Sequence, residues 1–380
     1  MKAWHYLDRE QALRQADALD EERSAGRVRG PLHGLAVGIK DIFDTADMPT
    51  ENGSALHAGR RPTRNAEAVA RLRGAGAVIL GKTVTTEFAN MHPGKTTNPH
   101  DLRRTPGGSS SGSAAGVACG MMPLATGSQT NGSVIRPAAF CGVVGFKPTY
   151  GLIPLEGVLQ LSWTLDHAGV FARDVEGAAV IAEILTRKPM TPMALGPLKL
   201  GFAKTPLWDK ADDDTQAQFE KLARDLNATP VELPADAVME AHNGARLITD
   251  VEMAANLAKE YETGRHKISG VLNALFERGR RHSAFTYLQA VEAGKRLRPI
   301  VDDILSPFDA VITPAITGAA PLGLETTGNP VFCTLWTITG MPAITLPLLK
   351  TPEGMPLGVQ LVGARGTDRR LLSAAKMLML

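Results

Sequence analysis

Residues 105–151 constrain this chain more than any other stretch: TPGGSSSGSAAGVACGMMPLATGSQTNGSVIRPAAFCGVVGFKPTYG. They hold ten serines and threonines and ten glycines, with Arg136 just past the last serine. A flexible Gly/Ser linker stays small and polar throughout. Here the apolar segments AAGVACGMMPLA and AAFCGVVGF alternate with the small-residue loops. That mixture predicts buried elements joined by tight loops whose backbone N–H groups are free to face a ligand. Glycine permits positive φ and close approach. Serine brings a hydroxyl that can act as a nucleophile or carry a proton.

A serine nucleophile needs a base. The usual partner is histidine, but the stretch contains none; the nearest are His92 and His100 upstream and His167 downstream. A second solution is a lysine kept neutral by burial, because desolvation disfavours the ammonium. Lys40 ends the apolar run LAVGI and is followed by Asp41. A lysine at the end of a buried strand suits that role.

Three segments carry a resemblance. GIKD around Lys40, TPGGSSSGSAAG around Ser109 and TGSQTNGSVIRPAAFCGVVGFKPTYG around Ser133 resemble the motifs of the amidase signature family, in the family's order. The likeness extends over about residues 32–372. It implies a Ser–cis-Ser–Lys triad: Lys40 the base, Ser109 the bridging serine on a cis peptide, Ser133 the nucleophile. Backbone N–H groups of Thr130, Asn131, Gly132 and Ser133 would form the oxyanion hole. Ser128, Gln129, Arg136 and His167 are expected to border the substrate. Arg136 has two readings, a bidentate clamp for a substrate carboxylate or a tie that fixes the loop after the nucleophile. His167 likewise either lines the pocket or supports a loop. Two positions depart from the family: Asn131 stands where glycine is usual, and Gln129 where many members carry Asp. Asparagine tolerates left-handed backbone better than most residues, so the turn can survive.

The resemblance implies one α/β domain over residues 1–380, with a central mixed, mostly parallel sheet wrapped by helices. Catalytic motifs occupy 28–190, a variable segment 191–305, and closing strands with a last helix 306–380. It implies hydrolysis of a non-peptide carbon–nitrogen bond in a small amide, with no metal or organic cofactor, and homodimers are common in the family. Two alternatives remain: the amidase subunit of an amidotransferase-type assembly, and a catalytically impaired binding homologue, which Asn131 keeps open.

Composition removes other classes. A net charge of +2 without a basic run gives nucleic acid and membrane surfaces no handle. Aromatics at 5% do not make a base-stacking platform. No leader pattern and no bilayer-length apolar run is visible. Cys119, Cys141 and Cys333 are few and odd in number, which suits a reducing cytoplasm, and no spacing resembles a zinc site. Cys141 reads as a small buried hydrophobe. Residues 76–83, GAVILGKT, match the phosphate-loop pattern with Lys82 as its lysine. In a working phosphate loop a strand precedes the first glycine. Here AVIL, the apparent strand, fills the variable positions, so the match reads as coincidence.

Periodicity and punctuation supply the remaining elements. Helices are predicted over 7–26, 64–75, 111–120, 174–187, 212–226, most of 235–305, 331–340 and 369–380. Strands are predicted within 32–41 and 198–204, and at 77–80, 121–126, 231–233, 309–313, 343–348 and 358–363. The alternation around 198–233 predicts a βαβ unit and a largely parallel sheet.

Overall fold

Strands buried on both faces read as continuous apolar runs, and such runs build the middle of this protein. The structure, a computed structural model, describes residues 1–379. Its strands are β1 (Trp4–Leu7), β2 (Ala36–Lys40), β3 (Val78–Thr83), β4 (Leu124–Gln129), β5 (Val144–Lys147), β6 (His167–Ala172), β7 (Leu200–Phe202), β8 (Thr229–Pro230), β9 (Ala310–Pro314), β10 (Ala343–Lys350) and β11 (Pro356–Val362). They form one sheet in the order β1-β3-β2-β4-β6-β5-β10-β11-β9-β7-β8. Around it lie α1 (Arg9–Ser24), α2 (Glu67–Gly74), α3 (Ser111–Ala118), α4 (Ile135–Cys141), α5 (Val175–Thr186), α6 (Asp213–Asp225), α7 (Ala235–Asn256), α8 (Ala258–Gly264), α9 (Gly270–Arg281), α10 (Ala284–Leu305), α11 (Val331–Ile338) and α12 (Asp368–Leu378). The helix expected over 369–380 reaches Leu378, and Leu380 lies outside the described residues.

The α/β layering and the mixed sheet match the expectation, but parallel pairing does not predominate. Four ladders are parallel: β2 with β3 and β4, and β7 with β8 and β9. Six are antiparallel: β1–β3, β4–β6, β5–β6, β5–β10, β10–β11 and β9–β11. The reason lies in the connections. A helix between strands carries the chain back to start a parallel neighbour, as α2 and α6 do. Between β5 and β6 there is only loop, and between β10 and β11 a short turn, so both pairs run antiparallel. The strand expected at 231–233 is displaced to Thr229–Pro230; only the Val231 N–H continues the pairing, to Phe202 O at 2.9 Å, before Pro234 leads into α7.

Local capping chemistry sets several helix starts. Asp174 accepts from the Gly177 N–H and Asp212 from the Thr215 N–H, each ahead of its helix. The phosphate-loop pattern is strand through Thr83. Lys82 is buried there, its Nζ donating to Phe43 O and Thr50 Oγ1 at 2.6 Å each and facing Asp41 at 3.7 Å. That geometry leaves no phosphate cradle.

The small residues of α3 have a specific use. A Cβ on Gly112 would stand 2.2 Å from Ala3 O and 2.4 Å from Val84 N, so only glycine lets this helix lie against the β3 end and the N-terminal segment. Further along, α7 packs on α9, α10 and α11, so the variable segment forms a helical layer of its own.

Candidate active site

Two adjacent parallel strands deliver the site. β2 and β4 pair in register, Val37 with Leu124 and Gly38 with Ala125, so their C-terminal ends emerge together. Functional groups in open α/β sheets gather at such ends. β2 ends in Lys40, whose N–H donates to Thr126 Oγ1 at 3.0 Å. β4 ends in Ser128 and Gln129, and the chain then turns through Thr130, Asn131, Gly132 and Ser133 into α4. The third component is the loop before α3, where the Gly108–Ser109 peptide is cis.

Lys40 is wholly buried. Its Nζ donates to Ser109 Oγ and to Ser128 Oγ, each at 2.7 Å. Burial brings its pKa down from 10.5 to about 7, with the charge of Asp166 pulling the other way. At neutral pH a large fraction of this lysine is therefore an uncharged amine. Ser109 is buried as well, and its backbone carbonyl accepts from the Thr86 N–H at 3.2 Å.

Ser133 borders a cavity of about 320 Å³, together with Thr130, Asn131 and Arg136. Among the described residues its hydroxyl makes no hydrogen bond, to Ser109 or to any other group. Hydrogen bonds of this kind are often long without substrate and tighten in the reacting complex. The backbone N–H groups of Asn131, Gly132 and Ser133 likewise meet no acceptor among the described residues, which leaves them free for an oxyanion.

The turn is held by its own side chains. Asn131 Oδ1 accepts from Thr334 Oγ1 at 2.5 Å, and its carbonyl accepts from Thr337 Oγ1 at 2.7 Å. The asparagine amide oxygen is thus tied down to α11. Thr130 Oγ1 donates to Asp166 Oδ1 at 2.6 Å, while Asp166 Oδ2 accepts from the Leu161 and Ser162 N–H groups at 2.7 and 3.0 Å. Burial pushes the Asp166 carboxyl up to about 6, against these hydrogen bonds.

The residues expected to border substrate divide. Ser128 Oγ accepts from Lys40 Nζ while its backbone N–H donates to Ser110 Oγ, and the residue is not among those lining the cavity. Gln129 is wholly buried; its Oε1 accepts from the Val134 and Ile135 N–H groups at the start of α4, and its Nε2 donates to Thr337 Oγ1. It serves the open end of a helix rather than a ligand. His167, paired with Gln129 across β4 and β6, is buried edge-on against Tyr150, with Nδ1 bonded to Leu165 O at 2.6 Å. It too stands off the cavity. Burial keeps its imidazole neutral, well below the usual histidine pKa.

Arg136 makes the tie: its Nη2 donates to Gly108 O at 2.8 Å and to Thr327 Oγ1 at 3.0 Å. It thereby holds the carbonyl preceding Ser109. The same side chain lines the cavity, and burial lowers its pKa only to about 10, so it is a cation at neutral pH. Cys141 is buried, and burial raises its thiol pKa far above the reactive range.

Sequence reasoning missed Asp166, Thr327, Thr334 and Thr337, and it named none of the α7 residues that line the cavity. Thr334 and Thr337 stand i, i+3 on an otherwise apolar helix, which puts both hydroxyls on one face. Asp166 offered no such signal beyond its place next to His167.

This arrangement has relatives. The sequence profile described as Amidase matches residues 1–372. A glutamyl-tRNA(Gln) amidotransferase subunit from Rhodopirellula baltica is 31% identical, over 98% of this chain and 88% of that protein. AtzE of Pseudomonas sp. (strain ADP), part of 1-carboxybiuret hydrolase, is 32% identical, over 97% of this chain and 88% of that protein. An amidase crystal structure superposes with a TM-score of 0.91 at 33% identity, covering 100% of this chain and 91% of that one. The chain belongs to the amidase family, enzymes that act on carbon–nitrogen bonds.

Proposed function

We propose that the protein is a serine amidohydrolase that cleaves the carbon–nitrogen bond of a small amide through an acyl-enzyme on Ser133. The observation that carries this is Lys40, wholly buried and 2.7 Å from Ser109 Oγ, at the end of the strand beside the one whose following turn puts Ser133 at the cavity. A neutral lysine has two N–H groups and one lone pair. The Ser109 hydroxyl can then donate to Nζ while Nζ donates to Ser128 Oγ, the donor sense a proton relay requires.

Ser133 Oγ attacks the amide carbonyl carbon as its proton passes to Ser109 Oγ, and the Ser109 proton passes to Lys40 Nζ. The negative charge that develops on the carbonyl oxygen meets the free N–H groups of the 131–133 turn. As the carbon–nitrogen bond breaks, the relay runs backwards and protonates the leaving nitrogen, which departs as ammonia or an amine. Water adds to the acyl-enzyme by the same steps and restores both serines and the neutral lysine. A cavity of about 320 Å³ sits at the small end of ligand sites, which favours a small substrate.

A second reading is that the chain works inside a larger assembly. Two relatives are named as subunits, and α10 exposes Phe285 and Leu288 on one side. Ammonia release by the isolated chain would favour the first reading.

The test is intact mass after exposure to a small fluorophosphonate, alongside ammonia release from short amides. One adduct, mapped to Ser133 and absent in Ser133→Ala, is expected, with no turnover by that variant. An adduct that persists in folded Ser133→Ala refutes the assignment.

A further inference from the structure

The charges that face the cavity do not cancel. Its titratable lining groups are Arg136, His242, Arg246, Asp250 and Arg278. Asp250 and Arg278 form a two-point pair, Nε to Oδ2 at 2.5 Å and Nη2 to Oδ1 at 2.7 Å, and so neutralise each other. His242 is half-buried, and burial lowers its pKa, so it adds no charge at neutral pH. Two cations remain, Arg136 on α4 and Arg246 on α7. Arg136 is partly committed to Gly108 and Thr327. Arg246 makes no hydrogen bond and no ion pair among the described residues.

The position of Arg246 is set by the helix. His242, Arg246, Thr249 and Asp250 recur at spacings of four, three and one along α7, one face of a helix, and all four line the cavity. The neighbouring wall includes Met91, Leu161, Leu275 and Val331. An uncompensated cation beside apolar walls concentrates anions, and a guanidinium matches a carboxylate with two parallel hydrogen bonds. Arg246 is solvent-exposed, and what separates it from an ordinary surface arginine is that it lines the same cavity as Ser133.

We propose that the amide this enzyme hydrolyses carries a carboxylate away from the reacting carbonyl, and that Arg246 is the residue that selects it. This rests on the reading of Ser133 as the nucleophile of an amidohydrolase. The charge of Arg136 adds to the same potential without spending its hydrogen bonds.

The experiment compares succinamate with butyramide, similar in length and different in charge. Ammonia release gives kcat/KM for each in wild type, Arg246→Ala and Arg246→Lys, and fluorophosphonate labelling of Ser133 is followed in parallel. Wild type should favour succinamate. The succinamate-to-butyramide ratio should fall about tenfold in Arg246→Ala, chiefly through KM for succinamate, the scale of one charge-assisted hydrogen bond. Arg246→Lys should fall between, since it keeps the charge and loses the fork. Added salt should raise the wild-type KM for succinamate more than that for butyramide. Equal losses on both substrates in Arg246→Ala, or no wild-type preference while Ser133 is labelled and butyramide is cleaved, overturns this inference alone. Absence of any adduct and any turnover in wild type overturns the amidohydrolase reading, and this one with it.

Discussion

Replacing Lys40 with methionine tests the proposed base through stability as well as activity. Methionine is unbranched and close to the apolar stem of lysine in size, so the packing changes little. What changes is proton binding. The Lys40 pKa stands at about 7 in the folded protein, against 10.5 for an ordinary lysine. Between those values the unfolded chain holds a proton on this residue that the folded chain lacks. The sign follows: a state that binds fewer protons gains as pH rises, so this lysine makes wild-type stability climb by ~1.4 kcal/mol per pH unit across the window. Lys40→Met lacks that climb. Between pH 7 and 9, the stability of wild type should therefore rise relative to the variant by roughly 2 kcal/mol, because the lysine is only half deprotonated at the lower end. Ser109 and Ser128 lose their partner in the variant, an offset that does not depend on pH. Lys82 and Lys147, also buried with lowered pKa values, are present in both proteins and cancel. Urea unfolding of both proteins at pH 7, 8 and 9 measures the difference. The wild-type kcat/KM should rise with pH about a midpoint near 7, and the variant should be inactive. A stability difference that stays flat from pH 7 to 9 would show that Lys40 keeps its charge in the folded protein, and the base assignment would fall.

Asp166→Asn should move the rising limb of the pH–rate profile to lower pH, because the Asp166 charge is what opposes the loss of the Lys40 proton. The amide can keep its oxygen on the Leu161 and Ser162 N–H groups and donate to Thr130, so the protein should stay folded; an unmoved or raised midpoint contradicts the coupling. Lys82→Met should destabilise the fold by ~3–5 kcal/mol, the usual cost of leaving a buried partner charge, here Asp41, without its pair. Thermal melts with and without ATP check this: neither protein should shift with nucleotide, and an ATP-dependent rise lost in the variant would restore the phosphate-loop reading.

How far the sequence carries differs from element to element. Local signals sufficed for α5 and α6, where an aspartate cap precedes an apolar-periodic run, and for α1, where the helix sits two residues inside each expected end. They also exposed the false phosphate loop, since AVIL can only be a strand. They failed on strand direction. A run such as 343–348 looks the same whether its neighbour runs with it or against it, and the neighbour of β10 on one side is β5, some two hundred residues away in sequence. They could not show that Ser128, Gln129 and His167, which lie next to Ser133 in chain or sheet, turn their side chains away from the cavity, which for His167 agrees with its supporting role.

The chemistry on offer was written in the chain itself. Lysine after an apolar run, serines among glycines, and the order of the three motifs marked the residues that meet, because strand ends and tight turns follow from local composition. Protonation and charge pairing were settled by tertiary packing. Lys40 has the lowered pKa that the proposed base needs because the interior strips it of water, a property of everything packed around it rather than of its neighbours in the chain. Arg136 is partly consumed by Gly108 and Thr327, the latter 191 residues away, while Arg246 stands free on a helix more than a hundred residues after Ser133. Which cation is left for a substrate is a question of pairing in three dimensions, and charge pairing has no period that a sequence can show.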